Sequence, residues 1–247
     1  MEYKSYANKI QYIKNEFGNH YKDKGPENGI LQGTKYEGAA THCRNCLATL
    51  VKMVEAKTVL EIGSWHYESS NAMATAMDEL HGLESYGIID SYDIRRGGYD
   101  GNTHHTPQSK RINARYWYPH HSNYDDWKYN VDLPHNDFKD YTNQEITTKN
   151  IQILKEASKD FKTYDLIFID GDHSYEGVKR DFEVIKHVAD QNTLIVIDNV
   201  WDIRLKEVRQ FYDELPLIKW DFEEWNDKNY KNNMVQDTAI CILHIRE

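Results

Sequence analysis

The chain has 247 residues, 39% of them hydrophobic and 28% charged, with a formal net charge of -10 at pH 7. This length and composition suit a single soluble α/β domain spanning 1–247 rather than two domains. The acidic balance argues against a nucleic-acid partner, because affinity for phosphate backbones comes from clustered Lys and Arg, and basic pairs such as Arg95-Arg96 are isolated.

Residues 1–39 read as a polar, aromatic N-terminal extension, with a helical stretch around 6–17 and a Gly-rich loop over 25–38. The first fifteen residues are charged and lack the apolar core of a signal peptide. No apolar stretch reaches the roughly 18 residues needed to span a bilayer. A cytoplasmic protein without a membrane partner is the expectation. A helix is predicted over about 40–56, with Cys46, Leu47, Leu50, Val51 and Val54 on one face. Cys43 and Cys46 form a C-x-x-C in this helix. Without a second Cys or His pair at zinc spacing, the motif reads as helix packing, with a redox or metal role as the alternative. Next comes the apolar run 58–62, a strand by length and composition. Ser69 or Ser70 can cap the following helix, whose apolar face is Ala72, Met73, Ala76, Met77 and Leu80. A second strand is predicted within 86–94.

Over 95–141 the pattern breaks down. Three prolines, the pairs His104-His105 and His120-His121, and a run of aromatics including Tyr116-Trp117-Tyr118 fill this stretch. It is too long for an ordinary connection, so it reads as an irregular insert over the substrate site, with the third strand near Val131. Helical periodicity returns at 147–161. A strand over 165–170 and a helix over 175–189 follow; Val178, Phe182, Ile185 and Val188 share one face of that helix. A strand over 193–198, a helix over 204–214 and two strands at 217–222 and 238–245 complete the chain. Alternating strands and helices imply a doubly wound, mainly parallel sheet. Seven strands are expected. The last pair has no helix between its members, which makes the last strand antiparallel.

Two of these strands end in acid. Tyr164-Asp-Leu-Ile-Phe-Ile-Asp-Gly-Asp-His173 stops at Asp170, and Thr193-Leu-Ile-Val-Ile-Asp-Asn199 stops at Asp198. Ligands of open α/β sheets bind beyond the carboxyl ends of the strands. Asp170, Asp172, Asp198 and Asn199 would therefore surround one crevice, and such hard oxygen donors suit Mg²⁺, Mn²⁺ or Ca²⁺. The first strand ends in Glu61-Ile-Gly-Ser-Trp65. A glycine there permits a tight turn and close approach of the backbone to a ligand. The dinucleotide fingerprint G-x-G-x-x-G is absent, as is G-x-x-x-x-G-K-[ST]. These absences disfavour NAD, FAD and a nucleoside triphosphate.

Val59-Leu-Glu-Ile-Gly-Ser64, followed by Ser69-Ser70, resembles the first motif of class I S-adenosylmethionine-dependent methyltransferases. Phe168-Ile-Asp-Gly-Asp-His-Ser-Tyr-Glu-Gly177, followed by Asp181, resembles the post-fourth-strand motif of a small-molecule O-methyltransferase subgroup that includes macrocin-type, cephalosporin-pathway and catechol-type enzymes. The resemblance covers 40–247 and implies a Rossmann-like methyltransferase fold. It implies that Glu61, Gly63, Ser64, Trp65 and Ser70 line the methionine end of the cofactor. Asp93 would receive the ribose hydroxyls, with Asp90 as competitor. Asp170, Asp198 and Asn199 match a divalent-metal site. Asp172 matches a general base, with His173 as the other titratable neighbour. A glycine usual near Tyr67 or Glu68 is missing.

The expected function is methyl transfer from S-adenosylmethionine to a hydroxyl of a small molecule, a sugar or phenolic unit, assisted by Mg²⁺ or another divalent cation. A metal-independent methyltransferase and a non-catalytic S-adenosylmethionine-binding module are the alternatives. A homo-oligomer is compatible with the sequence. Each site residue also has a plainer reading: Asp170 and Asp172 as helix caps, His66 and His173 as structural or surface residues, Asp181 and Glu183 on a solvated helix face.

Overall fold

Short runs of β-branched and other apolar residues form the strands. The computed structural model describes residues 6–20, 39–64, 68–82, 87–93, 112–116, 143–202, 204–221 and 239–242. Trp65, His66 and most of the 95–141 insert, including both histidine pairs, lie outside these. The strands are β1 (Thr58–Ile62), β2 (Ile88–Asp93), β3 (Ile112–Tyr116), β4 (Leu166–Ile169), β5 (Leu194–Ile197), β6 (Ile218–Trp220) and β7 (Ala239–Ile242). The helices are α1 (Tyr6–His20), α2 (Ala39–Met53), α3 (Glu68–His81), α4 (Asn143–Ala157), α5 (Tyr175–Ile185) and α6 (Lys206–Glu214).

Among the described residues these strands make one seven-stranded sheet in the order β3-β2-β1-β4-β5-β7-β6. Strands β1 to β5 pair in parallel, and β7 runs antiparallel to both β5 and β6. The predicted closing hairpin is present. Its last strand inserts beside β5, so β6 becomes the edge. The third strand differs from expectation: it lies at Ile112–Tyr116, about fifteen residues before Val131, where an alternating rather than wholly apolar run hid it.

Helices cover both faces. Val59, Leu166, Phe168, Leu194 and Val196 pack with Ile10, Ile13, Phe17, Leu47, Leu50 and Met73 from α1, α2 and α3. Leu60, Ile62, Ile167, Ile169, Ile195 and Ile197 pack on the other face with Leu154, Val178, Phe182, Val208 and Phe211 from α4, α5 and α6. Alternation along each strand sends successive side chains to opposite faces. Burial of one such Leu, Ile or Phe contributes about 1.5–3 kcal/mol, so both faces are well anchored and the strand ends can carry polar groups. Helix α1, read from sequence as part of an extension, belongs to this core; its Phe17 meets Trp220 edge-on at 5.7 Å between ring centroids.

Candidate active site at the carboxyl edge of the sheet

The register puts the candidate residues in one row. Ile62 is paired with Tyr92 and Ile169, and Ile169 with Ile197. The next residue on each strand is therefore Gly63, Asp93, Asp170 or Asp198. The ladder continues into this row: the Gly63 N–H donates to the Tyr92 carbonyl at 2.8 Å, that of Asp170 to Ile62 at 2.8 Å, and that of Asp198 to Ile169 at 3.0 Å. Phe168 and Val196 point to the α2 face. Two residues on, Asp170 and Asp198 return to that face.

Gly63 is required by geometry within the fold. Its φ is +89°, and a Cβ there would lie 1.9 Å from the Asp170 carbonyl oxygen. The closest neighbour of this turn is thus the β4 end itself. Ser64 follows, buried, and its Oγ has no hydrogen-bond partner among the described residues.

Glu61 is fully buried and receives the hydroxyls of Ser69, Ser70 and Ser91. Burial raises its carboxyl above the ordinary range; the three hydroxyls oppose this and nearby Asp93 adds to it. Ser69 and Ser70 lie inside the first turn of α3, which begins at Glu68. They are hydroxyl donors to β1 rather than the helix caps expected from sequence. Glu61 and Ser70 are therefore engaged with each other within the fold, and direct contact of either with a ligand would require this network to open. Asp93 ends β2 on the same side as Glu61. Asp90 turns the other way, where it accepts the Tyr164 hydroxyl at 2.7 Å.

On the β4 side, His173 and Asp170 pair at 3.1 Å between Nε2 and Oδ1. Asp170 keeps 30% of its side chain open and His173 36%. The Asp170 carboxyl is pushed up to about 7, first by burial and then by the Asp198 carboxylate, against the lowering effect of His173. For His173 burial works downward, yet the Asp170 hydrogen bond and the charges of Asp170, Asp198 and Asp172 prevail and raise it. Asp198 accepts the Asn199 N–H at 2.9 Å on Oδ1 and the Cys43 thiol at 3.7 Å on Oδ2. Asn199 takes a left-handed φ of 62°. Cys43 thus borders the crevice, while Cys46 of the same C-x-x-C is buried in the core with its thiol pushed up, first by burial and then by Asp198.

Asp172 sits in the row beyond and is engaged within the fold. Its Oδ1 accepts the Ser174 N–H at 2.9 Å, and its Oδ2 pairs with Arg180 at 3.3 Å. A Cβ on Gly177 would lie 2.0 Å from Asp172 Cγ. The cap of α5 is Ser174, which accepts the Gly177 N–H at 3.0 Å. Asp181, read from sequence as solvent-facing, is fully buried, with its Oδ2 2.9 Å from where a Gly171 Cβ would stand. Sequence reading missed Ser91 and Arg180, and its preferred reading of Cys43 was helix packing rather than contact with the β5 end. Alternation on β2 could have suggested Ser91; the other two contacts arise from folding.

Among the described residues, no three His, Cys, Asp or Glu side chains form a group able to hold a metal ion. The Asn199 amide would have to complete any set built on Asp170 and Asp198. The coupling of these two carboxylates is a repulsion that a cation would relieve, so the donor chemistry is compatible with a hard divalent ion.

A doubly wound sheet with an antiparallel seventh strand, carrying a Gly turn after β1 and acids at the ends of β2, β4 and β5, defines a class I, Rossmann-like methyltransferase. A methyltransferase-domain family matches residues 60–200, more than half of the chain. The chain belongs to that family. No curated protein matches the sequence. Several solved structures share the fold. The O-methyltransferase TomG of Streptomyces achromogenes, involved in tomaymycin synthesis and solved with S-adenosylmethionine, is 12% identical, with a TM-score of 0.51 over 99% of this chain and 92% of that one. A Klebsiella pneumoniae protein assigned as an O-methyltransferase is 18% identical, with a TM-score of 0.51 over 97% of both chains. A Staphylococcus aureus protein assigned as a caffeoyl-CoA O-methyltransferase is 15% identical, with a TM-score of 0.50 over 96% and 99% of the two chains. No helix among the described residues is long and apolar enough to cross a membrane.

Proposed function

We propose that this protein transfers the methyl group of S-adenosylmethionine to a hydroxyl of a small molecule, a sugar or phenolic unit. The observation that carries this reading is the row Gly63, Asp93, Asp170 and Asp198 across four parallel strands, beside the buried, unpartnered Ser64 hydroxyl. Bound S-adenosylmethionine would supply a methyl group on a sulfonium. The Gly63-Ser64 turn, together with Trp65, would hold its methionine end, and Ser64 Oγ would gain the partner it lacks. Asp93 would accept the ribose hydroxyls.

A neutral hydroxyl is a poor nucleophile, so its proton must leave. His173 is suited to take it. With Nε2–H donated to Asp170, the ring is oriented and Nδ1 keeps its lone pair. Asp170 stabilises the imidazolium that results. Asp172, held by Arg180 and the Ser174 N–H, is assigned to positioning the β4 loop. Asp170, Asp198 and Asn199 would hold Mg²⁺, Mn²⁺ or Ca²⁺, and a cation there lowers the pKa of a bound hydroxyl. The remaining contribution is alignment of acceptor oxygen, methyl carbon and sulfur.

A second reading dispenses with the cation. It is favoured by Asp198, whose two oxygens are engaged by the Asn199 N–H and the Cys43 thiol; the Asp170–His173 pair would then act alone. Calorimetric titration with S-adenosylmethionine tests the shared part, and absence of binding overturns it. Transfer from labelled S-adenosylmethionine across a panel of hydroxyl acceptors, with and without excess EDTA, separates the two readings. Asp198→Ala should remove metal-dependent turnover and leave cofactor affinity nearly intact. Cofactor binding without turnover on any acceptor would point to a binding module.

A further inference from the structure

We infer that Ser91 is a positioning residue for the cofactor wall, acting through Glu61 to fasten the first turn of α3 to β1 and β2. This rests on the reading of the Gly63 edge as the S-adenosylmethionine site. Ser91 lies on β2 directly opposite Glu61 in the register. Its hydroxyl and those of Ser69 and Ser70 converge on the one carboxylate, and the Ser70 and Ser91 oxygens also stand 3.3 Å apart. Glu61, Ser70 and Ser91 are each fully buried. Among the described residues the carboxylate's hydrogen-bond donors are three hydroxyls and no Lys or Arg, and these hydroxyls supply compensation that a buried carboxylate requires. The first turn of α3 adds the favourable end of the helix dipole.

The consequence is mechanical. The chain leaves β1 at Gly63-Ser64 and re-enters regular structure at Glu68. That turn is held at one end by the β1–β4 ladder and at the other by α3. Among the described residues, side chains tie the α3 end to the sheet at this level, and two of the three bonds come from α3 itself. Ser91 supplies the third from the neighbouring strand. It orients the carboxylate so that both of its oxygens serve α3: Oε1 takes Ser69, and Oε2 takes Ser70 together with Ser91. Loss of Ser91 would leave Glu61 short of a donor and free to rotate, and the α3 turn would loosen with it.

The test uses the full-length protein, Ser91→Ala and Glu61→Gln. Amide hydrogen exchange is followed in the ligand-free protein, and S-adenosylmethionine affinity is measured by calorimetry. In Ser91→Ala, removal of one hydrogen bond to a buried charged group should speed exchange in the first turn of α3 about tenfold and weaken cofactor binding about tenfold, with exchange in α5 unchanged. Glu61→Gln keeps the shape, loses the charge-assisted bonds and should reproduce both effects at least as strongly. Unchanged α3 exchange in both variants overturns the inference. So does faster exchange with parental cofactor affinity, which would make the network structural only. If the parent itself fails to bind S-adenosylmethionine, the cofactor reading fails, while the exchange data still decide whether Ser91 fastens α3.

Discussion

Glu61 and Asp170 are carboxylates near the same edge of the sheet, on adjacent parallel strands, and their surroundings diverge. Glu61 is sealed: fully buried, with three hydroxyls directed at it. Asp170 is about a third open, faces a second carboxylate and holds a histidine. Burial raises both carboxyls. The difference lies in what opposes burial. Around Glu61 the opposition is a closed set of donors that organises the protein. Around Asp170 it is one titratable partner, and the unrelieved repulsion from Asp198 leaves the site ready for a proton or a cation. Asp172, two residues from Asp170, belongs with the sealed kind.

If the open carboxylate is the reactive one, Asp170→Asn should reduce methyl transfer about a thousandfold or more, while calorimetric affinity for S-adenosylmethionine changes little. Retained turnover in this variant would erase the distinction between the two carboxylates. Asp172→Ala should act on stability instead. Arg180 would lose its charge-assisted bond to Asp172, at a cost of about 1.5–3 kcal/mol, visible as a lower midpoint in urea unfolding. A variant that unfolds normally and loses only turnover would return Asp172 to the role of base. His173→Ala should lower turnover about a hundredfold, and the acid limb of the parent's pH–rate profile should disappear with it.

The smallest effect concerns pH and stability. Asp170 titrates at about 7 in the folded protein against an ordinary value of 3.8. Between those values the folded state holds a proton that the unfolded state has released. The contribution of this group is therefore most favourable below pH 3.8 and is lost as pH rises through 7. Other groups, such as Asp202 held low by Arg204, pull in the opposite direction, so the parent must be compared with Asp170→Asn. In metal-free protein the variant should gain melting temperature relative to the parent as pH increases from 5 to about 8. An identical pH dependence for both would mean that Asp170 is not held up by its neighbours.

The comparison also separates what could be read from sequence. The β4 and β5 ends were legible because a buried parallel strand is a short apolar run, and in these two strands the run stops at a carboxylate. The same logic located β1, β2 and the closing hairpin. β3 was not legible: Ile112–Tyr116 carries Asn and Arg within five residues, so its apolar signal is too weak to stand out from the insert. A serine before an apolar helix suggests a cap, as Ser69 or Ser70 does here; the partner of both is Glu61 on β1. An aspartate between Arg180 and the solvated Glu183 suggests a polar helix face, whereas folding places Asp181 beneath the Gly171 turn.

Sequence by itself determined the fold class and the acidic strand ends, since both depend on local composition and spacing, and it carried the motifs by which the chain resembles methyltransferases. Tertiary structure alone decided which acids share a face, that Asp170 pairs with His173 while Asp172 pairs with Arg180, and that Glu61 is enclosed by serines from β2 and α3. Those outcomes depend on strand order and register. These bring together residues far apart in the chain, and only the packed sheet sets the distances that seal one carboxylate and leave the other partly open.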